Sequence, residues 1–139
     1  MTTGLRTKLN STFEGAVERT TRALADQGFG VLTTIDVKST LKQKLGEDME
    51  DYRILGACNP TLAHRALDVD RQLGQLLPCN VVVRTDPESH GDTVLVEAAD
   101  PQMMIQFSGS PEALQAIANE AAAKLQAAIT ALSQTAEAP

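Results

Sequence analysis

Aromatic side chains are nearly missing from this sequence: there is no Trp, one Tyr and three Phe in 139 residues. A protein that stacks unpaired bases needs aromatic platforms, so single-stranded nucleic acid is a poor partner. The core must be aliphatic, drawn from a 42% hydrophobic total rich in Val, Leu, Ile and Ala. Positive charge is also short. Twelve Lys and Arg against eighteen Asp and Glu leave a net charge of −6. The basic residues are scattered, and the small cluster Lys38, Lys42, Lys44 is cancelled by Glu47, Asp48, Glu50 and Asp51. Phosphate backbones and anionic membranes both require a basic face, so neither is expected as a partner. Cysteine is limited to Cys58 and Cys79, which excludes a disulfide-dense secreted scaffold. No apolar run approaches the roughly 20 residues that span a bilayer, and no basic-then-apolar leader opens the sequence. The cytoplasm is the expected compartment. No HExxH pattern or Ser-His-Asp arrangement can be picked out, and Gly28-Phe29-Gly30 precedes a strand rather than the helix that a phosphate loop needs.

What is present fits a single domain over residues 1–132 with a frayed tail over 133–139, a length suited to one core and too short for two. Gly4 to Leu9 reads as a short strand. Ser11-Thr12-Phe13-Glu14 fits a capping box, and Phe13, Val17, Thr20 and Leu24 recur at helical spacing until Gly28 supplies a left-handed stop. From Phe29 to Val37 the period becomes two, with Phe29, Val31, Thr33, Ile35 and Val37 on one face. Asp36 or Ser39 caps a short helix that Gly46 ends. Tyr52 to Cys58 is the next strand. Asn59-Pro60 then opens a helix, with proline at the first position, where its missing N–H costs nothing. That helix runs to about Asp68, and a short turn covers Asp70 to Leu76. Pro78 breaks the pattern, and Cys79 to Arg84 forms a strand whose Val81-Val82-Val83 centre suggests burial on both faces. A polar turn from Asp86 to Asp92 joins it to Thr93–Ala98 as a β-hairpin. Pro111 and Glu112 begin a long Ala-rich helix ending near Leu132. The order is strand, helix, four strands, helix, with short helical insertions. It predicts an α+β fold in which a curved, mostly antiparallel sheet packs against and closes over the long C-terminal helix.

Three runs, GFGVLTTIDVKSTLKQKLG from Gly28, YRILGACNP from Tyr52 and LLPCNVVVR from Leu76, together with HRAL from His64 and Asp100-Pro101-x-x-Met104, resemble the domain of unknown function 302 family over nearly the whole chain. The resemblance implies a bacterial, compact α+β protein similar to helix-grip or TATA-binding-protein-like arrangements, often dimeric. It implies no activity.

The chemistry-bearing candidates are few. If the strands ending at Cys58 and beginning at Cys79 are antiparallel neighbours, the two thiols lie side by side or diagonal, close enough for a soft metal or a reversible disulfide. Asn59 and Asn80, each following a cysteine, are candidate ligand-holding residues. Two thiols cannot close a zinc site, which takes four ligands. His64 is the candidate third ligand, and Met103 or Met104 could complete a soft-metal set. Packing competes with each of these readings. Free cysteine serves as a small buried hydrophobe, and His64 can simply pair with Asp68 one turn on. His90, in the polar turn, is expected to be exposed. The Asn59-Pro60 helix start could hold an anion with help from Arg53, though every helix has such an end.

Three functions remain. The first is a non-enzymatic homodimer that binds a small ligand or partner in an apolar cavity between helix and sheet. The second is a thiol protein that binds a soft metal or senses redox state through Cys58 and Cys79, which predicts a lowered thiol pKa. The third, an enzyme, has no recognisable catalytic constellation to support it.

Overall fold

The structure, a computed structural model, describes residues 5–135. Five strands form one sheet: β1 (Arg6–Asn10), β2 (Gly30–Asp36), β3 (Tyr52–Cys58), β4 (Cys79–Thr85) and β5 (Thr93–Ala98). Their spatial order is β1-β5-β4-β3-β2 and every neighbouring pair is antiparallel. The helices are α1 (Phe13–Asp26), α2 (Val37–Leu45), α3 (Pro60–Val69), α4 (Met103–Phe107) and α5 (Pro111–Thr135), and a 3-10 turn covers Arg71–Leu76. The α+β class and the long terminal helix are as the periodicity predicts. The sheet is open rather than closed, with β1 and β2 as its two edges.

Local chemistry explains where each element starts. The cap of α1 is Thr12 rather than Ser11: Thr12 Oγ1 accepts from the Gly15 backbone N–H at 3.1 Å, while Ser11 Oγ donates to the Thr12 carbonyl. Glu14, free of the expected capping box, instead takes both Arg53 guanidinium N–H groups at 3.0 and 2.9 Å. Asp36 caps α2 through the Ser39 N–H, and Gly46 closes it at φ 71°, a left-handed conformation that favours glycine. Asn59 caps α3 by accepting from the Leu62 N–H at 3.2 Å.

Two strand expectations need correction. In β2 the register slips between Val31 and Thr33, so Leu32 is the extra residue of a bulge and stands 67% exposed. Val31 therefore pairs with Ala57 on the helix-covered face, while Thr33 and Ile35 pair with Gly56 and Ile54 on the other, and strict alternation fails. In β4, Val81 and Val83 are fully buried but Val82 is only half-buried, because helices cover one face of the sheet alone. The helix α4 had no periodic signal, being a single turn after Asp100-Pro101. At the other end, α5 remains helical through Thr135, and Ser133 bonds to Thr7 of β1 at 2.6 Å, so 133–135 continue the helix. Gly4 and residues 136–139 lie outside the described residues.

The core divides into two clusters. Leu9, Leu55, Val81, Val83, Val94 and Val96 of the sheet pack with Leu24 of α1 and with Leu125, Ile129 and Leu132 from the second half of α5. Leu62 and Ala66 of α3, Leu73 of the 3-10 turn and Met104 of α4 pack with Leu114, Ile117 and Ala121 from its first half. Among the described residues, helix α5 alone contributes buried side chains to both.

Candidate functional site

Where the two clusters meet, at the end of the sheet formed by the last residue of β3 and the first of β4, they leave a cavity of about 50 Å³. Phe29 and Ala57 line it from the sheet side, Leu62 and Ala66 from α3, Met104 from α4, and Ile117 and Ala121 from α5. Cys58, Asn59 and Cys79 line it too. Topology brings them there: β3 runs directly into α3 at Cys58-Asn59, and after the 3-10 turn the chain re-enters the sheet at Cys79 beside β3. The expectation of antiparallel neighbouring strands holds, with one refinement. Cys79 is opposite Ala57 and Cys58 opposite Gly30, so the cysteines are offset by one position, and alternation turns Cys79 with Ala57 toward the helices and Cys58 to the other face of the sheet; the thiols do not lie side by side as expected. Both are half-buried, unbridged thiols.

The electrostatics run against a reactive thiol pair. Burial pushes the Cys79 thiol above its ordinary value, and the nearby Cys58 pushes it the same way, so the lowered value that a redox pair predicts is not found at Cys79. A protonated thiol is a poor nucleophile. Among the described residues Asp100 is the one charged side chain in the lining, and no Lys, Arg or His joins it.

Not all the expected residues converge. His64 is on the outer side of α3, its side chain 77% exposed, and meets Asp68 at 3.7 Å; Leu62 and Ala66 occupy the buried face of the same helix, which leaves position 64 to solvent. Asn80 is exposed and outside the lining, because strand alternation turns it away from Cys79; its carbonyl accepts from the Ala99 N–H. Among the described residues no group of three His, Cys, Asp or Glu side chains is placed to hold a metal ion, so the set Cys58, Cys79 and His64 does not form. Arg53 is committed elsewhere: besides Glu14 it faces Asp36 at 3.7 Å and stacks over the Phe13 ring at 5.0 Å. His90 is exposed in the polar turn. Met103 and Met104, held in reserve by sequence reasoning, both line the cavity, as do Asp100 and Pro101, whose place here no periodicity could have shown.

Asn59 has a structural task alongside any ligand. Its Oδ1 caps α3, and its Nδ2 donates across to the Gln27 carbonyl at 3.5 Å. Gly28 makes room for this: a Cβ there would come within 2.9 Å of Asn59 Nδ2, and its φ of +85° already favours glycine.

Among the described residues no helix is long and apolar enough to cross a membrane. No curated protein matches the chain. A crystal structure of an uncharacterised conserved DUF302 protein from Bacillus stearothermophilus is similar, with a TM-score of 0.79 and 28% sequence identity, over 90% of this chain and 94% of that one. The family model described as Domain of unknown function DUF302 matches residues 5–132. That span takes in all five strands, both core clusters and the whole cavity lining, and the chain belongs to the DUF302 family.

Proposed function

We propose that this chain is a non-enzymatic binding module of a bacterial cytoplasm, acting as a homodimer and taking a small ligand into the cavity between α3, α4, α5 and the β3–β4 end of the sheet. The observation that carries the reading is a single apolar cavity that collects Cys58, Asn59 and Cys79 with one carboxylate and no cationic side chain. Such a lining suits a small neutral or cationic ligand and offers an anion no counter-charge. The size supports a ligand of very few atoms, since cavities that accept benzene are nearer 150 Å³. Unbridged cysteines suit a reducing compartment, and the net charge of −6 disfavours nucleic acid or an anionic membrane as a partner.

The second copy is supported by strand β2. Among the described residues it is an edge of the sheet with no strand beyond it, and Leu32 and Ile35 on it are 67% and 50% exposed. An unpaired edge with exposed apolar groups invites strand addition, and two copies meeting edge to edge about a two-fold axis make a closed, self-complementary contact.

Two measurements test the module. Under xenon pressure, the backbone amide resonances of residues 57–66 and 99–104 should shift, and Ala63→Leu, which fills the cavity mouth, should abolish the shift. Absence of any xenon response in the folded protein would remove the cavity as a binding site. Light scattering should give twice the chain mass for the parent and a monomer for Leu32→Lys; a monomeric parent removes the second copy.

A further inference from the structure

Several half-buried carboxylates in this fold are matched by cations: Glu97 by Arg84, Asp86 by Lys8 and Asp51 by Lys38. Asp100 is also half-buried, and among the described residues it has no such partner. Its Oδ1 accepts from the Gln102 N–H at 2.9 Å. That bond holds the carboxylate at the first turn of α4 and leaves Oδ2 without a partner among the described residues. Met103 and Met104 open the same turn, and both line the cavity with Asp100. Partial burial of a charge without a counter-charge costs stability, and a cationic occupant removes that cost.

The rest of the lining narrows the cation. Calcium and magnesium surround themselves with six or more oxygens, and Asp100 with the Asn59 amide supplies far fewer. Soft metals need sulfurs brought together, and the register separates Cys58 from Cys79. A quaternary ammonium is held in a cage of aromatic faces, whereas Phe29 is the single aromatic residue in the lining among the described residues. A guanidinium docks on both oxygens of a carboxylate at once, and Oδ1 of Asp100 is already engaged. A primary ammonium needs only one such oxygen. Its alkyl part suits the walls that Leu62, Ala66, Ile117 and Ala121 supply. Cys79 adds no second negative charge, because burial holds its thiol above the ordinary value. Against the roughly 150 Å³ that accepts the six carbons of benzene, a cavity of about 50 Å³ takes a tail of about two carbons, with a third at the mouth.

We propose that the cavity binds a short-chain primary ammonium, its alkyl tail between α3 and α5 and its N–H donating to Asp100 Oδ2 at the α4 end. This names the chemical class of the ligand and rests on the cavity being a binding site. Binding is non-covalent. The amine enters protonated, and no covalent bond forms or breaks.

The test titrates the full chain at neutral pH and fixed ionic strength with propylammonium chloride, 1-propanol and sodium propionate, followed by backbone-amide NMR. Ligands of so few atoms bind weakly, so the titrations extend into the tens of millimolar. Propylammonium should shift the amides of residues 57–66 and 99–104 with an affinity on the order of tenfold above that of propanol, since a hydrogen bond to a charged group is the stronger one. Propionate should leave those amides in place. Asp100→Asn keeps an acceptor for the Gln102 N–H and should reduce propylammonium to the affinity of propanol, with propanol unchanged. Ala63→Leu should abolish binding of both. Equal affinity for amine and alcohol, binding of propionate, or amine binding undiminished by either substitution would overturn the proposal. Should Asp100→Asn not fold, the ranking of the three probes and the Ala63→Leu variant decide. A positive xenon response with no preference for the amine would refute this ligand while leaving the cavity reading intact, whereas absence of both removes the cavity itself.

Discussion

Gly56 sits where β3 passes between two side chains, and a Cβ there would run into Thr33 Oγ1 and come within 2.9 Å of the Pro78 ring. The ring cannot rotate away, so Gly56→Ala should lower stability by about 1–3 kcal/mol, the usual range for overpacking; a denaturant titration with an unchanged slope would measure it. Thr20 presents the opposite case. It is 1% exposed on α1, and its hydroxyl oxygen is buried with no hydrogen-bond partner among the described residues. A buried, unsatisfied polar atom costs stability that an isosteric methyl does not, so Thr20→Val should stabilise the fold by about 1 kcal/mol, visible as a higher unfolding midpoint. At this scale the sequence says which residues lie at the candidate site only in part. Cys58, Asn59 and Cys79 are legible because strand ends and the Asn-Pro cap fix their neighbourhood. His64 and Asn80 are not, since proximity along the chain says nothing about which side of a helix or strand a group takes. Asp100 and Met103 are found only by the path of the chain after β5.

Among the elements, those with strong periodicity or a clear start signal are legible, and those shaped by neighbours are not. Helix α1, the β4–β5 hairpin and α5 follow from spacing alone. The β2 bulge does not, because Val31, Thr33 and Ile35 alternate perfectly in sequence while the pairing with β3 slips by one. The all-valine centre of β4 misleads for a related reason: β-branched residues satisfy a strand whether one face is covered or two. Helix α3 is the element on which the cavity most depends, and Asn59 secures its start. Asn59→Ala should cost about 1 kcal/mol through the lost cap, and it also removes the donor to Gln27. Amide hydrogen exchange should quicken across Leu62 to Ala66 while β4 and β5 retain their protection; uniform loss of protection would show that the cap serves the whole fold rather than this helix.

Over the whole molecule, strand order is what joins distant charges. Arg84 on β4 clasps Glu97 on β5 through two hydrogen bonds at 2.8 and 3.2 Å, and Arg6 on β1 adds a contact at 3.6 Å. The Arg84 hydrogen bonds hold the Glu97 carboxyl below its ordinary value of 4.5. A carboxyl with a depressed native value contributes stability that is complete above its unfolded value and declines as pH falls toward the native one. Below about pH 4.5 the parent should therefore lose up to about 1 kcal/mol that Glu97→Gln has already lost, and the two stability profiles should converge in acid. Profiles that stay parallel down to pH 2 would show that the clasp adds nothing.

The division of the interior between the sheet and the α3–α4 end has a consequence for how the molecule comes apart. Among the described residues α5 is the helix whose buried side chains enter both clusters, so the helical end can open by itself at a lower free energy than global unfolding requires. An occupant touching both regions binds only when they are together, and it raises the cost of that partial opening by mass action. Heating the empty protein should give a broad transition with an early phase, and saturating the cavity should merge it into one sharp melt. The occupant would then be read out as restored cooperativity before any change in shape could be seen.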